Sequence, residues 1–290
     1  MTRPMRLPEW IKQETRQRHT ARPGASAGSV ARNRRLHTVC EEARCPNQHY
    51  CFAKPTAAFL ILGNSCTRNC GFCSVEHRLP LPLDMLEPER VAEAAADMQL
   101  QYVVITSVTR DDLSDGGAGH FAATIAAVRR CLPDARIEVL IPDFQGDASA
   151  LQTVLGARPD VLNHNVETVP KLYPLVRPQA RYERSLALLR RAKELSPEVR
   201  TKSGLMVGLG EQFIEVISVL GDLRAADCDE VTIGQYLRPT KKHLPVVEYI
   251  HPNVFAEYQR DAIGLGFRFV SSGPLVRSSM NAGEFSRTPI

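Results

Sequence analysis

Residues 57–75 read AAFLILGNSCTRNCGFCSV, and the opening of this stretch decides the fold. Ala57–Leu62 is an unbroken apolar run of strand length, the pattern of a strand buried on both faces. Runs of the same kind recur at Tyr102–Val108, Arg136–Ile141, Val161–Val166, Lys202–Leu209 and Glu230–Leu237. Helical patterns separate them. In Pro88–Met98 the apolar positions Val91, Ala94, Ala95 and Met98 share one face, and Pro88 suits a first turn. In His120–Leu132 they are Phe121, Ile125, Val128 and Leu132. Further helical patterns cover Ala148–Leu155, Tyr182–Leu195, Gln212–Ala226 and Asn253–Leu265. Such alternation implies right-handed βαβ units and a parallel sheet. Six units fall short of a full TIM barrel, and Phe267–Val270 offers a seventh short strand. The expected fold is α/β, a partial (β/α)6 TIM-like barrel over residues 57–270 with an N-terminal extension (1–56) and a C-terminal tail (271–290). Its active site is expected at the carboxyl ends of the strands, where the βα loops gather.

The composition narrows the class. Of 290 residues, 43% are hydrophobic and 23% charged, which excludes an intrinsically disordered chain. No apolar run approaches the roughly 18 residues of a membrane span. No apolar segment follows the basic start, so no secretory leader is read. The net charge of +4 is too modest to argue for nucleic acid. Basic residues do gather at the start, as Arg3, Arg6, Lys12, Arg16, Arg18, Arg22, Arg32, Arg34 and Arg35 against Glu9 and Glu14. A solvated arm with a short helix near Leu7–Arg18, broken at Pro23 and Gly24, is the favoured reading; a surface for an acidic partner is the sharper one. Trp10 is expected to anchor this arm by burial.

Six of the eight cysteines lie between Cys40 and Cys73; Cys131 and Cys228 stand apart as structural thiols. In a reducing, cytoplasmic setting, clustered thiols suggest metal ligands before disulfides. Cys66, Cys70 and Cys73 directly follow the first strand at spacings of four and three. Zinc would take a fourth ligand, with His77 at hand. An iron–sulfur cubane with three protein thiolates would keep one iron open for a small molecule. Cys40, Cys45 and Cys51 form a second group just upstream. Three buried structural cysteines, a zinc site with His49 or His37, and a second iron–sulfur cluster all fit; the last is preferred.

The CxxxCxxC spacing, the aromatic Phe72 and the position after the first strand resemble the signature of the radical S-adenosylmethionine (SAM) superfamily. The resemblance narrows to the lipoyl synthase family through a series of segments in family order. These are LHTVCEEARCPN (36–47), ILGNSCTRNCGFCSV (61–75), TSVTRDDLSDGGAGHF (106–121), HNVETV (164–169), TKSGLMVGLGE (201–211), TIGQYLRPT (232–240) and GPLVRSS (273–279). It implies a [4Fe-4S] cluster on Cys66, Cys70 and Cys73 that chelates SAM and, once reduced, cleaves it to a 5′-deoxyadenosyl radical. It implies a second, auxiliary [4Fe-4S] cluster on Cys40, Cys45, Cys51 and Ser279 of Arg277-Ser278-Ser279. That cluster would be dismantled to supply sulfur, a use to which a weakly held serine oxygen is suited. Both clusters are expected to face one shared cavity. The implied reaction inserts sulfur at carbons 6 and 8 of an octanoyl chain amide-linked to a carrier lysine. The implied partners are octanoylated lipoyl domains of 2-oxoacid dehydrogenases, the glycine cleavage H protein, an electron donor such as ferredoxin or flavodoxin, and a carrier that rebuilds the cluster; neither nucleic acid nor membrane is among them. The chain departs from the family pattern in two places, with Met280 for the usual tyrosine after the two serines and Tyr50-Cys51-Phe52 for the usual Glu-Cys-Trp.

For SAM itself, the residues singled out are Phe72, Thr106, Ser107, Asp111 and Asp112 after the second strand, and Asn165 and Glu167 after the fourth. Lys202 of the fifth strand, and Gln235 and Arg238 at the last strand mouth, are weaker candidates. Turns, caps and ion pairs are the plainer roles for the same side chains. Gly208 and Gly210 suit a close approach of backbone to ligand. Two rivals stand beside this reading. One is a two-cluster methylthiotransferase acting on tRNA, which would add an RNA-binding domain. The other is a non-catalytic zinc module binding RNA through the basic arm.

Overall fold

The computed structural model describes residues 6–19, 27–52, 57–280 and 282. The break at Pro23 and Gly24, the basic residues Arg3 and Arg22, the junction 53–56 and most of the tail beyond Met280 lie outside them.

Eight strands form one sheet in chain order: β1 (His37–Thr38), β2 (Ala57–Ile61), β3 (Tyr102–Ser107), β4 (Arg136–Leu140), β5 (Val161–Asn163), β6 (Arg200–Val207), β7 (Glu230–Gln235) and β8 (Phe269–Gly273). From β2 to β8 every neighbour is parallel, and β1 alone runs antiparallel, along β2. Strictly sequential parallel strands with helical crossovers are the winding of a TIM-like barrel. All six expected strands and the seventh are present; the two-residue β1 carries no periodic signal and was not foreseen.

The helices are α1 (Glu9–His19), α2 (Ala27–Asn33), α3 (Val39–Glu42), α4 (Gln48–Phe52), α5 (Glu87–Asp97), α6 (Ala118–Cys131), α7 (Ala148–Gly156), α8 (Tyr173–Val176), α9 (Tyr182–Leu195), α10 (Phe213–Ala225) and α11 (Pro252–Gly264). Their starts follow local chemistry. Asp147 caps α7 by accepting from the Ser149 N–H at 2.8 Å, and Glu215 of α10 reaches back to the Gln212 N–H at 2.6 Å. Among the described residues no helix is long and apolar enough to cross a membrane.

Strand alternation sorts the side chains into two layers. Phe59, Ile61, Val103, Ile105, Ile137 and Val139 point outward and join Val91, Phe121, Ile125 and Val128 of the helices in one core. Ala58, Tyr102 and Val104 point inward and meet Ala282 of the tail. The arm packs differently from expectation. Ile11 is fully buried, whereas Trp10 is half-buried, its ring edge-on to His251 of α11 at 6.3 Å. Described basic residues of the arm pair locally: Arg18 with Glu14, Arg32 with Glu41, and Arg34 with Glu93 and Asp97.

Candidate active site

Two sites are built from the cysteines, one at each end of the barrel interior. The first grows from β2. Leu62 and Gly63 leave the strand with φ of +68° and +84°. A left-handed leucine is strained, and such strain gathers where a loop must be aimed. The buried Glu87 carboxylate holds it by accepting from the Leu62 N–H and from His120, each at 2.8 Å. The loop then closes on itself and on its neighbours. The Cys66 N–H donates to the Glu76 carbonyl at 2.9 Å, and the Thr109 N–H donates to the Cys66 sulfur at 3.3 Å. Gly71 N–H reaches the Val176 carbonyl, and His243 donates from Nε2 to the Cys73 carbonyl at 2.9 Å. Arg68, inside the cysteine motif, is buried and makes a forked pair with Asp111 at 2.6 and 2.9 Å and a third bond to Asp143 at 2.6 Å. That guanidinium holds the Asp143 carboxyl well below the usual carboxylate range against the cost of its burial.

Around this loop the SAM candidates separate into two groups. Ser107 Oγ and Asn165 Oδ1 are buried with no protein partner, as is Oγ1 of Thr168, a residue the sequence did not single out. Buried polar atoms seek a partner, so these three are open to a polar ligand. Asn165 also donates to Glu167 at 3.0 Å, and Glu167 sits at φ +66° with its backbone bridged to Gly204 and Met206. Burial raises the Glu167 carboxyl above its ordinary range. Phe72 packs with Val176, Leu209 and Tyr236. The remaining candidates already have protein partners. Thr106 donates to the Leu140 carbonyl at 3.1 Å, Asp111 is held by Arg68, and Asp112 is held by Arg110 at 2.8 Å. Gln235 donates to three carbonyls and accepts from the Ile250 N–H. Exposed Arg238 bonds the His243 and Lys241 carbonyls. A Cβ on Gly208 would lie 2.1 Å from Gln235, so the close approach there is to that side chain. Lys202 stands at the other end of the interior.

The second site belongs to the arm. Thr38 caps α3, Arg44 turns the chain at φ +50°, and the Cys45 N–H returns to the Cys40 carbonyl at 3.0 Å. Cys51 follows on α4. Cys40, Cys51 and Ser279 border one small recess, partly open to solvent, with Ala57, Ala58, Tyr102 and Val104 as its wall. Ala57 and Tyr102 begin β2 and β3, so this site lies at the amino ends of strands whose carboxyl ends carry Cys66. The four steps from Ala57 to Ile61 of β2, at about 3.3 Å each, put roughly 13 Å between the two levels. Ser74 ties the segments together by donating to the Glu42 carbonyl at 2.5 Å. Arg277 is within electrostatic reach of both Cys45 and Glu167, and Glu167 in turn acts on Cys70 and Cys73.

The donor sets suit cubanes better than zinc. Within each group the thiols lie close enough to act on one another electrostatically. Among the described residues, no three His, Cys, Asp or Glu side chains converge on a point as a single ion demands. A cubane takes each thiolate on a different iron and makes no such demand. His77 and His49 are exposed, and His37 is paired with Glu42 at 3.0 Å. Burial pushes the Cys73 thiol up to about 12 and raises Cys40 and Cys70, so loading iron there must release protons. Sequence reading missed the residues that aim the loops: Arg68, Asp143, His243, and Arg177, which donates to the Asn165 and Val166 carbonyls at 2.9 and 3.3 Å. Arg68 alone carried a signal, since it lies within the cysteine motif.

Comparison with known proteins now gives the class. The profile of the Radical SAM superfamily matches residues 60–223. The crystal structure of methylornithine synthase shares the fold, with a TM-score of 0.53 at 14% identity over 95% of this chain and 86% of that one. Fold and site together are those of a radical SAM enzyme. A lipoyl synthase of Caldicellulosiruptor saccharolyticus is 59% identical over 252 residues, covering 87% of this chain and 88% of its own. That of Caldanaerobacter subterraneus subsp. tengcongensis is 56% identical over 278 residues, 96% of each chain. The chain belongs to the lipoyl synthase family of the radical SAM superfamily. Its activity is that of a radical SAM sulfurtransferase using SAM and two [4Fe-4S] clusters, which inserts two sulfur atoms into a protein-bound octanoyl group to give the lipoyl group.

Proposed function

We propose that Cys66, Cys70 and Cys73 hold the SAM-binding cluster, and that Cys40, Cys45, Cys51 and Ser279 hold the auxiliary cluster that donates sulfur. The extension (1–56) supplies the auxiliary cysteines, the barrel (57–270) the reaction chamber, and the tail (271–290) the serine. The single observation that carries this assignment is the recess shared by Ser279 with Cys40 and Cys51, although 228 positions separate Cys51 from Ser279. When bound, the two clusters and SAM supply hydrogen abstraction and sulfur, chemistry that no side chain performs. The protein's part is orientation and exclusion of water. Ser107, Asn165 and Thr168 offer SAM their unpaired polar atoms, and Glu167 its carboxylate. The backbone N–H of Thr109 donates to the Cys66 sulfur, the kind of contact that tunes cluster potential. An octanoyl chain reaching between the two levels gains about 0.8 kcal/mol per CH₂ buried.

The carriers in this reading are lipoyl domains of 2-oxoacid dehydrogenases and the glycine cleavage H protein. Electrons come from a ferredoxin or flavodoxin, a separate carrier rebuilds the spent cluster, and the setting is cytoplasmic. The decisive assay is anaerobic incubation with SAM, dithionite and an octanoylated carrier, read by intact mass. Gain of two sulfurs is expected, with two hydrogens lost only once the dithiol is oxidised to the disulfide. Deoxyadenosine formed with no change in carrier mass would sink the reading.

A further inference from the structure

We propose that Lys202 is a positioning residue for the tail, holding the Ser278–Ser279 backbone so that Ser279 faces Cys40 and Cys51. This rests on the reading of Ser279 as a cluster ligand. Lys202 has no exposed side-chain surface. A buried ammonium needs charge and hydrogen bonds around it. Its Nζ donates to both Glu138 oxygens at 3.0 and 3.1 Å and to the Ser278 carbonyl at 2.7 Å. Glu138 also accepts from Tyr102 Oη at 2.7 Å and from Asn163 Nδ2 at 2.9 Å. The four side chains come from β3, β4, β5 and β6, so the network spans the barrel interior and ends on one tail carbonyl, the one before Ser279.

Two further contacts show that the tail is seated. Asn47, between Cys45 and Cys51, donates to the Leu275 carbonyl at 2.6 Å. A Cβ on Gly234 of β7 would lie 2.3 Å from the Val276 carbonyl, so glycine there lets the tail lie against the strand. Asn47 and Gly234 fix where the tail enters; Lys202 fixes the peptide that presents the serine.

Two variants test this. Lys202→Met removes the ammonium, and Lys202→Met with Glu138→Gln removes the charge pair, leaving the buried Glu230 carboxylate to Arg200 at 3.7 Å. Hydrogen exchange is followed on the metal-free full-length chain. Peptides within 271–280 should exchange at least about tenfold faster in the double variant, while those of β4 and β5 stay close to the parent. Unchanged tail exchange would overturn the proposal. An equal rise across the whole sheet would overturn it too, since the pair would then hold the barrel and not the tail. Iron is counted after anaerobic reconstitution. The double variant and Ser279→Ala should each fall from about eight irons toward about four. Combining all three substitutions should lose no more than Ser279→Ala, as expected for residues acting through one group. If Ser279→Ala keeps about eight irons, three thiolates hold that cubane without the serine, as at Cys66, Cys70 and Cys73, and the exchange result alone decides the role of Lys202. If Ser279→Ala loses iron and the double variant does not, the proposal about Lys202 is wrong.

Discussion

The two cysteine groups solve one chemical problem by different routes. Cys66, Cys70 and Cys73 lie within eight residues, on a loop leaving a fully buried strand. That loop is pinned by a strained Leu62, by Arg68 across to β3 and β4 loops, and by His243. The auxiliary group draws on two short helices of the arm and on a tail more than 220 positions away. Only docking of these pieces on the amino ends of β2 and β3 completes it. A site made by one loop keeps its ligands together wherever the barrel folds. A site made by docking can be opened by releasing one piece. This difference matches a cluster that must persist and a cluster that is spent.

The largest effects should come from splitting the two. Cys66→Ala should bring both deoxyadenosine and lipoyl product to background. Cys45→Ala should keep deoxyadenosine while lipoyl product vanishes, both quantified by mass spectrometry; product from Cys45→Ala would break the division of labour outright.

Next comes the anchoring of the loop site. Arg68→Met leaves the Asp143 carboxylate with Arg184 alone and Asp111 with no arginine, at a cost of about 3–5 kcal/mol. A large fall in the thermal midpoint is expected, and a shift of only a degree or two would show that Arg68 is not the anchor.

Acid should weaken the same end of the barrel. The His164 ring donates from Nδ1 to the Ile141 carbonyl and accepts at Nε2 from Ser185 Oγ, both at 2.9 Å. It is complete as a neutral ring, and burial lowers its pKa from 6.5 to about 4. The unfolded chain therefore binds more protons across that window. The stabilisation is whole above about pH 6.5 and is lost progressively as pH falls toward 4. Between pH 7.5 and 5 its share is about 2 kcal/mol. Anaerobic urea unfolding of the parent and of His164→Gln should show this as a steeper pH slope in the parent; parallel slopes would refute it.

The smallest effect concerns the docked site. Met280 is buried, its sulfur accepting from Arg18 Nη1 at 3.0 Å and Asn47 Nδ2 at 3.4 Å. Met280→Leu keeps the volume and removes weak acceptors, so its cost should stay below about 1.5 kcal/mol by thermal unfolding. A larger loss would mean that the sulfur contacts, more than the packing, hold arm and tail together.

Much of the fold was legible because buried parallel strands and amphipathic helices are periodic along the chain. All seven parallel strands were readable in that way, and β1, α3 and α4 were not. Two to five residues are too short for periodicity, and β1 takes its shape from pairing with β2. Of the site, the spacing of Cys66, Cys70 and Cys73 was legible because one loop carries it. Among the SAM candidates, Ser107 and Asn165 keep unpaired atoms, whereas Asp111 and Gln235 are committed to protein partners. Sequence lists donors and acceptors; only packing assigns their partners.

By itself the sequence determined the winding of the barrel, the grouping of the cysteines and the family whose chemistry that grouping implies, since each is a property of residue types at short spacing. The tertiary structure alone decided that the two cysteine groups take opposite ends of the strands, that Lys202 serves the tail, and that Ser279 meets Cys40. Those relations join residues tens to hundreds of positions apart, and no local pattern encodes a distance that the folded barrel itself creates.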